Sequence, residues 1–262
     1  MNLIKICKNY GFILKEFFSR EINQKFVGSA GGKLWLILNP LSQIIIYTLL
    51  FSVILKIKLN MKFTGTQSFL IFLLSGMFLW LIFSEAVFRG ISIIIENANL
   101  ITKVAFPNEI LPIVAVLQSF FINGIGLGLF LIFLIFRGFL NINWFFLPFI
   151  IIIFFMFVYG FVLIFSSISV FIRDIQHLIN ILLFVWFYST PIIYPGYMIP
   201  DRLKFVLYIN PLNSFISVFR SVILNVNFNY YHVFLSIFWS LFLYYLGNFI
   251  FQKLKLNFSD VL

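Results

Sequence analysis

Apolar stretches long enough to cross a lipid bilayer recur along this chain and leave it little choice of fold. They cover about residues 34–56, 69–94, 110–136, 144–171 and 175–194, and a sixth lies at about 230–251. A helix needs about 20 such residues to traverse a hydrocarbon core about 30 Å thick. Composition agrees: 62% of residues are hydrophobic and 10% are charged, whereas soluble domains carry about 25% charged residues. The reading is an all-α membrane protein with six transmembrane helices, one domain over residues 1–262, without internal repeat or soluble module.

The formal net charge of +10, from 18 Lys and Arg against 8 Asp and Glu, invites a nucleic-acid reading. These cations lie scattered between the apolar runs, so flanks facing the cytoplasm and anionic lipid explain them better. No nucleic-acid partner is expected. Cys7 is the one cysteine, which excludes an internal disulfide and a cysteine-based metal cluster. His177 and His232 lie near opposite membrane boundaries and suggest no metal or catalytic site.

The first 26 residues lack the continuous apolar core and small-residue cleavage site of a signal peptide. Leu3, Ile6, Tyr10, Ile13 and Phe17 recur at helical spacing, with Lys5, Lys8, Lys15, Glu16 and Arg20 away from them. That pattern predicts an amphipathic helix, within residues 1–30, lying in the membrane interface. Placing it inside the cell puts eleven Lys and Arg on the cytoplasmic side against seven outside, and six spans then return the C-terminus to the cytoplasm.

STPIIYPGYMIP, at 189–200, interrupts this regularity with Pro191, Pro195, Gly196 and Pro200, and Asn210-Pro211 follows. A straight seventh span through Asn210-Pro211 would free backbone groups that lipid cannot satisfy. The expectation is a re-entrant helical hairpin between spans five and six. Its arms, about 197–209 and 212–225, dip into the outer leaflet and return.

FIRDIQHLINILLFVWFYSTPIIYPGYMIPDRLKFVLYINPLNSFISVFRSVIL resembles the C-terminal half of ABC type-2 exporter permeases, most closely those of O-antigen, capsule and teichoic-acid export. The shared marks are Arg173-Asp174, Ser189-x-Pro191, Tyr194-Pro195, Pro200, Asn210-Pro211 and Arg220. GGKLWLILNPLSQIIIYTLLFSVIL, at 31–55, is similar to the family's opening of the first span. ENANLITKVAFPNEILP, at 96–112, resembles its cytoplasmic loop. Gly32-Lys33-Leu34 departs from the family's more frequent Leu-Gly before the tryptophan, which leaves the subclass open.

The resemblance implies a permease of the bacterial inner membrane, multi-pass, with both termini cytoplasmic. It implies a homodimer joined by two ATPase subunits that bind ATP and Mg, moving a lipid-linked polysaccharide. Export of a drug, lipid or haem by the same architecture is the alternative. The permease itself is no enzyme and holds no cofactor. GSAGGKL, at 28–34, fails the phosphate-loop pattern, with Val27 and Leu34 where Gly and Ser or Thr are needed. A proton-coupled transporter would need midplane ionisable groups, and a membrane glycosyltransferase a carboxylate cluster; neither pattern is present in the sequence.

Several residues become candidates. A short helix over Asn97–Val104 would engage the ATPase through Leu100 and Ile101, with Lys103 at the rim and Phe106-Pro107 ending it. Arg173 and Asp174 would add a smaller contact. For the translocation pathway, Asn39, Gln43, Tyr47 and Phe51 share one helix face and serve equally as glue between helices or as a glycan path. Phe78, Trp80, Trp186 and Tyr188 are further aromatic candidates. Pro191, Tyr194, Pro195, Pro200, Asn210, Pro211 and Arg220 form the expected outer gate. Glu85 and Arg89, four apart, read as an ion pair near the cytoplasmic face. Gly124, Gly126 and Gly128, with Gly124-x-x-x-Gly128, predict close packing of the third span.

Overall fold

The computed structural model describes residues 3–103, 107–172, 174–226 and 229–262, with side chains from Lys8 onward. Among the described residues every regular element is helical, and one isolated bridge, Lys58 to Ser68, is the sole extended pairing. Helix α1 (Leu3–Phe26) precedes the first span, α2 (Gly32–Ile54); α3 (Phe69–Glu96), the short α4 (Ala98–Lys103) and α5 (Ile110–Phe136) follow. Then come α6 (Leu147–Phe171), α7 (Ile175–Ser189), the hairpin helices α8 (Lys204–Ile209) and α9 (Pro211–Ile223), and α10 (Tyr230–Leu254).

Among the described residues five helices are long and apolar enough to cross a membrane. The fifth expected span is the exception: the sequence predicts 175–194, whereas α7 stops at Ser189 after 15 residues. At 1.5 Å per residue it reaches about 22 Å. Thr190 ends it by turning extended, and its hydroxyl folds back on the Trp186 carbonyl at 2.8 Å. Pro191 disfavours helix at the residue before it, so apolar sequence continues where the helix does not.

The bundle centres on α3, whose apolar window is 78% buried, with α5, α6, α7 and α9 around it, and α10 packs on α6 and α9. Backbones meet where α6 crosses α10. A Cβ on Gly160 would collide with the Leu243 carbonyl, and one on Gly247 with the Gly160 carbonyl. Glycine is therefore required at both positions by contact, in the manner of small-residue crossings within bilayers. Of the three glycines predicted for this role on α5, Gly126 fits against Phe78 and Pro40, whereas Gly124 and Gly128 meet nothing within 4 Å.

The hairpin forms as expected, its arms bent by 87°. Asn210 is an N-cap and Pro211 the first residue of α9, positions each residue type favours. The Asn210 carboxamide oxygen accepts from the Leu212 amide at 3.1 Å and the Asn213 amide at 3.4 Å. Asn213 Nδ2 donates to the Leu207 carbonyl at 2.8 Å. Two side-chain amides thus satisfy backbone groups that the break exposes, which is what irregular backbone at membrane depth requires.

Helix α1 lays Tyr10, Ile13, Leu14 and Phe17 against the core and stacks Phe18 edge-on to Phe121 of α5 at 5.6 Å. Helix α2 is peripheral: none of its central apolar window is buried within the chain.

Candidate transport surfaces

At the α1 end of the bundle, loop 97–109 is held at both margins by buried polar residues. Asn97 is buried; its Nδ2 donates to the Ile93 carbonyl at 2.8 Å and its Oδ1 accepts from Arg20 at 2.7 Å. Glu109, equally buried, accepts from Gln252 Nε2 and from Lys255 Nζ, both at 2.8 Å. Burial pushes the Glu109 carboxyl up, but the hydrogen bonds from Lys255 and Gln252 outweigh it and hold the group below its ordinary value. The loop is therefore tied to α1 at one margin and to the C-terminal end of α10 at the other.

Within the loop, Ile101 packs against the core, Leu100 is half-buried, Lys103 is exposed and Pro107 is half-buried. Phe106 and Arg173, with Val104 of the predicted loop helix, lie outside the described residues. Asp174 is exposed at the start of α7. The surface that α4 leaves open thus carries Asn99, Thr102, Lys103 and part of Leu100, while Asn97 and Ile101 face inward.

Glu85 and Arg89 do not pair with each other. Arg89 clamps Glu21 of α1 with two bonds, Nε to Oε2 at 2.7 Å and Nη2 to Oε1 at 2.9 Å, and reaches Glu96 with Nη1. Glu85 pairs with Lys25 of α1 and accepts from Asn123. A local spacing rule sees partners four residues apart on one helix; here α1 supplies stronger partners 60 and 68 residues away. Glu21, Arg20, Lys25 and Glu109 were not among the candidates read from the sequence. Charge four and eight residues after Phe17, on the apolar face of α1, was the signal available for Glu21 and Lys25.

A lateral groove of about 610 Å³ runs between α3 and α7. Trp80, Phe187 and Tyr188 line it, with Trp80 and Phe187 rings 5.3 Å apart, and Tyr188 is 51% exposed. Ser84, Glu85 and Asn180 bring polar groups to the same groove. Glu85 and Phe88 also line a neighbouring depression beside α1, of about 460 Å³, shared with Glu21, Arg89 and Glu96. The two together are amphipathic, charged beside α1 and aromatic farther along the bundle.

The other predicted pathway residues are dispersed. Phe78 is 1% exposed and packs on Phe130. Trp186 turns inward against Phe83 and Phe161 and donates through Nε1 to Asn210 Oδ1 at 2.9 Å. Along α2, Asn39 is exposed, while Gln43, Tyr47 and Phe51 are half-buried. Phe51 meets Phe69 of α3 at 4.7 Å. The lower end of that stripe therefore seals α2 against α3.

The predicted gate residues do converge. Arg220 on α9 donates to Ser75 Oγ at 3.0 Å and the Phe72 carbonyl at 2.9 Å on α3, and to the Pro191 carbonyl at 2.8 Å. Its guanidinium lies 3.6 Å from the Phe72 ring centroid. Tyr194 donates to the Tyr188 carbonyl at 2.6 Å, and Asn210 Nδ2 to Thr190 Oγ1 at 2.9 Å. Pro195 lines a chamber beneath the hairpin, and Pro200 caps the turn at Asp201–Leu203. One arginine and one asparagine thus sew the broken end of α7 to the hairpin and to α3.

Comparison with known proteins gives this geometry a family. Residues 14–224 match the ABC-2 type transporter family. Two proteins of Klebsiella pneumoniae, each named O-antigen export system permease protein RfbA, are 28% and 27% identical to this chain over 99% of both partners. A Myxococcus xanthus protein of the same name is 29% identical over 85% of this chain and 84% of its own. With the family match extending from the interfacial helix to the end of the hairpin, this chain belongs to the ABC-2 type transporters.

Proposed function

We propose that this chain is the membrane permease of an ATP-driven exporter that moves a lipid-linked polysaccharide, O-antigen or a similar glycan, across the bacterial inner membrane. The observation that carries the reading is the end-to-end likeness, over 99% of both chains, to proteins named O-antigen export permeases. The amphipathic groove between α3 and α7 supports it. Aromatic faces and scattered amide, hydroxyl and carboxylate groups suit sugars, which stack through C–H faces and bond through hydroxyls.

In this reading two copies assemble with two separate ATPase subunits, which bind ATP and Mg, and both termini lie in the cytoplasm. The exposed apolar surfaces of α2 and α7, such as Ile45, Ile46, Ile181 and Phe184, supply faces for the second copy and for lipid. The ATPase engages Lys103 and Leu100. Its motion passes through the Arg20–Asn97 and Glu109–Lys255 bonds to α1 and α10, and through the Arg89–Glu21 clamp to α3. Spans one and five part, the lipid-linked end reaches the groove, and the hairpin yields on the far side.

Co-expression with its ATPase tests this. The two proteins should copurify, and proteoliposomes containing both should translocate a lipid-linked glycan only with ATP. Copurification with translocation of a drug or free lipid, and none of the glycan, would contradict the substrate assignment; the absence of any ATPase partner would contradict the exporter itself.

A further inference from the structure

Beneath the hairpin lies a chamber of about 570 Å³, within the range of about 300–1,000 Å³ typical of small-ligand sites. The guanidinium of Arg220 and the imidazole of His232 line it, with the ammonium of Lys204 at its solvent edge, and among the described residues no Asp or Glu does. Lys204 is ion-paired with Asp201 at 2.6 Å, a carboxylate turned to solvent and 92% exposed, so the charge left without a counter-ion on the chamber wall is that of Arg220. Tyr208 and Ser217 add hydroxyls to the wall, and Phe63 and Val226 give it an apolar margin.

Arg220 makes the charge significant. The acceptors of its hydrogen bonds, Ser75 Oγ and the carbonyls of Phe72, Pro191 and Ile192, are all neutral. Neutral acceptors orient a guanidinium without cancelling its charge, and a buried charge without a counter-ion is costly. Arg220 nonetheless remains half-buried, and the chamber it lines is the place an anion can approach. Guanidinium, imidazole and hydroxyl donors around a space that no carboxylate lines, with an ammonium at its edge, match a tetrahedral oxyanion.

We propose that this chamber binds a phosphoryl group, as borne by a phospholipid headgroup or by free phosphate. The proposal does not depend on which substrate is exported. The tyrosine and serine hydroxyls suit a hydroxylated headgroup, and the apolar margin suits the glycerol and first acyl carbons that follow it.

Native mass spectrometry of the full chain in detergent, titrated with phosphatidylglycerol, diacylglycerol and inorganic phosphate, tests it. Phosphatidylglycerol should bind at least tenfold more tightly than diacylglycerol, roughly the contribution of one or two charge-assisted bonds. The double variant Lys204→Gln/His232→Gln should lose roughly tenfold of that affinity, with its unfolding temperature measured to show that the chain remains folded. Phosphatidylglycerol displaced by millimolar phosphate would identify the phosphoryl group alone as the ligand; retention would identify the lipid headgroup. Both support the site. Equal binding of diacylglycerol, or phosphatidylglycerol affinity unchanged in the double variant, would overturn it.

Discussion

Glu21 is 3% exposed, and its carboxylate accepts both bonds of the Arg89 clamp. Removing one partner of a buried pair costs about 3–5 kcal/mol, because the other charge stays buried alone. Arg89→Ala should therefore lower unfolding stability by about 3 kcal/mol, and Glu21→Gln/Arg89→Met should recover most of it; chemical denaturation in detergent reads both. Equal losses in the single and double variants would contradict the pairing. Glu109 makes a pH prediction of definite sign. Its carboxyl is held below the ordinary value by Lys255 and Gln252 against the opposing effect of burial. The stabilisation is fully present above the unfolded carboxylate's pKa and is lost as pH falls through the lower folded value. Acid unfolding of the native chain should be steeper in that window than that of Glu109→Gln, and identical profiles would refute the assignment.

The helices show what hydropathy discloses and where it stops. Lipid demands length, so the long spans and the interfacial helix were legible, and Asn210-Pro211 announced the bend because its two residues suit a cap and a first turn. The early end of α7 was not, since Pro191-Ile-Ile is as apolar as the helix it terminates. Close packing was legible at Gly126 but not at the crossing of α6 and α10, for a similar reason. A repeat of glycines within α5 is visible locally, whereas Gly160 and Gly247 become a pair only once α6 and α10 cross. Gly247→Leu should force those backbones apart and cost at least about 1–3 kcal/mol, whereas Gly124→Leu, facing open space, should change unfolding stability little. The candidate site divides the same way: the gate residues were named from motif and converge, while the charges that fasten α1 to α3 and the loop come from distant segments. Asn210→Ala should remove the cap, a loss of about 0.5–2 kcal/mol, and free Trp186, giving a red-shifted tryptophan emission; unchanged emission would contradict the Trp186–Asn210 bond.

For the whole molecule, the polar ties cluster at the end holding α1 and loop 97–109, and the broken helices lie at the other. An exporter needs this polarity, with energy delivered at one face and release at the opposite one. It exists only if the chain turns back at Asn210-Pro211 instead of crossing, so that the hairpin and the two chain ends occupy different sides of the membrane. Single cysteines at three exposed positions, Arg202→Cys, Lys103→Cys and Ser259→Cys, in a Cys7→Ser background, test this in intact cells with a membrane-impermeant maleimide. This topology requires labelling at position 202 from outside, and labelling at 103 and 259 only after the membrane is opened. Labelling of position 259 from outside with position 202 protected would contradict it.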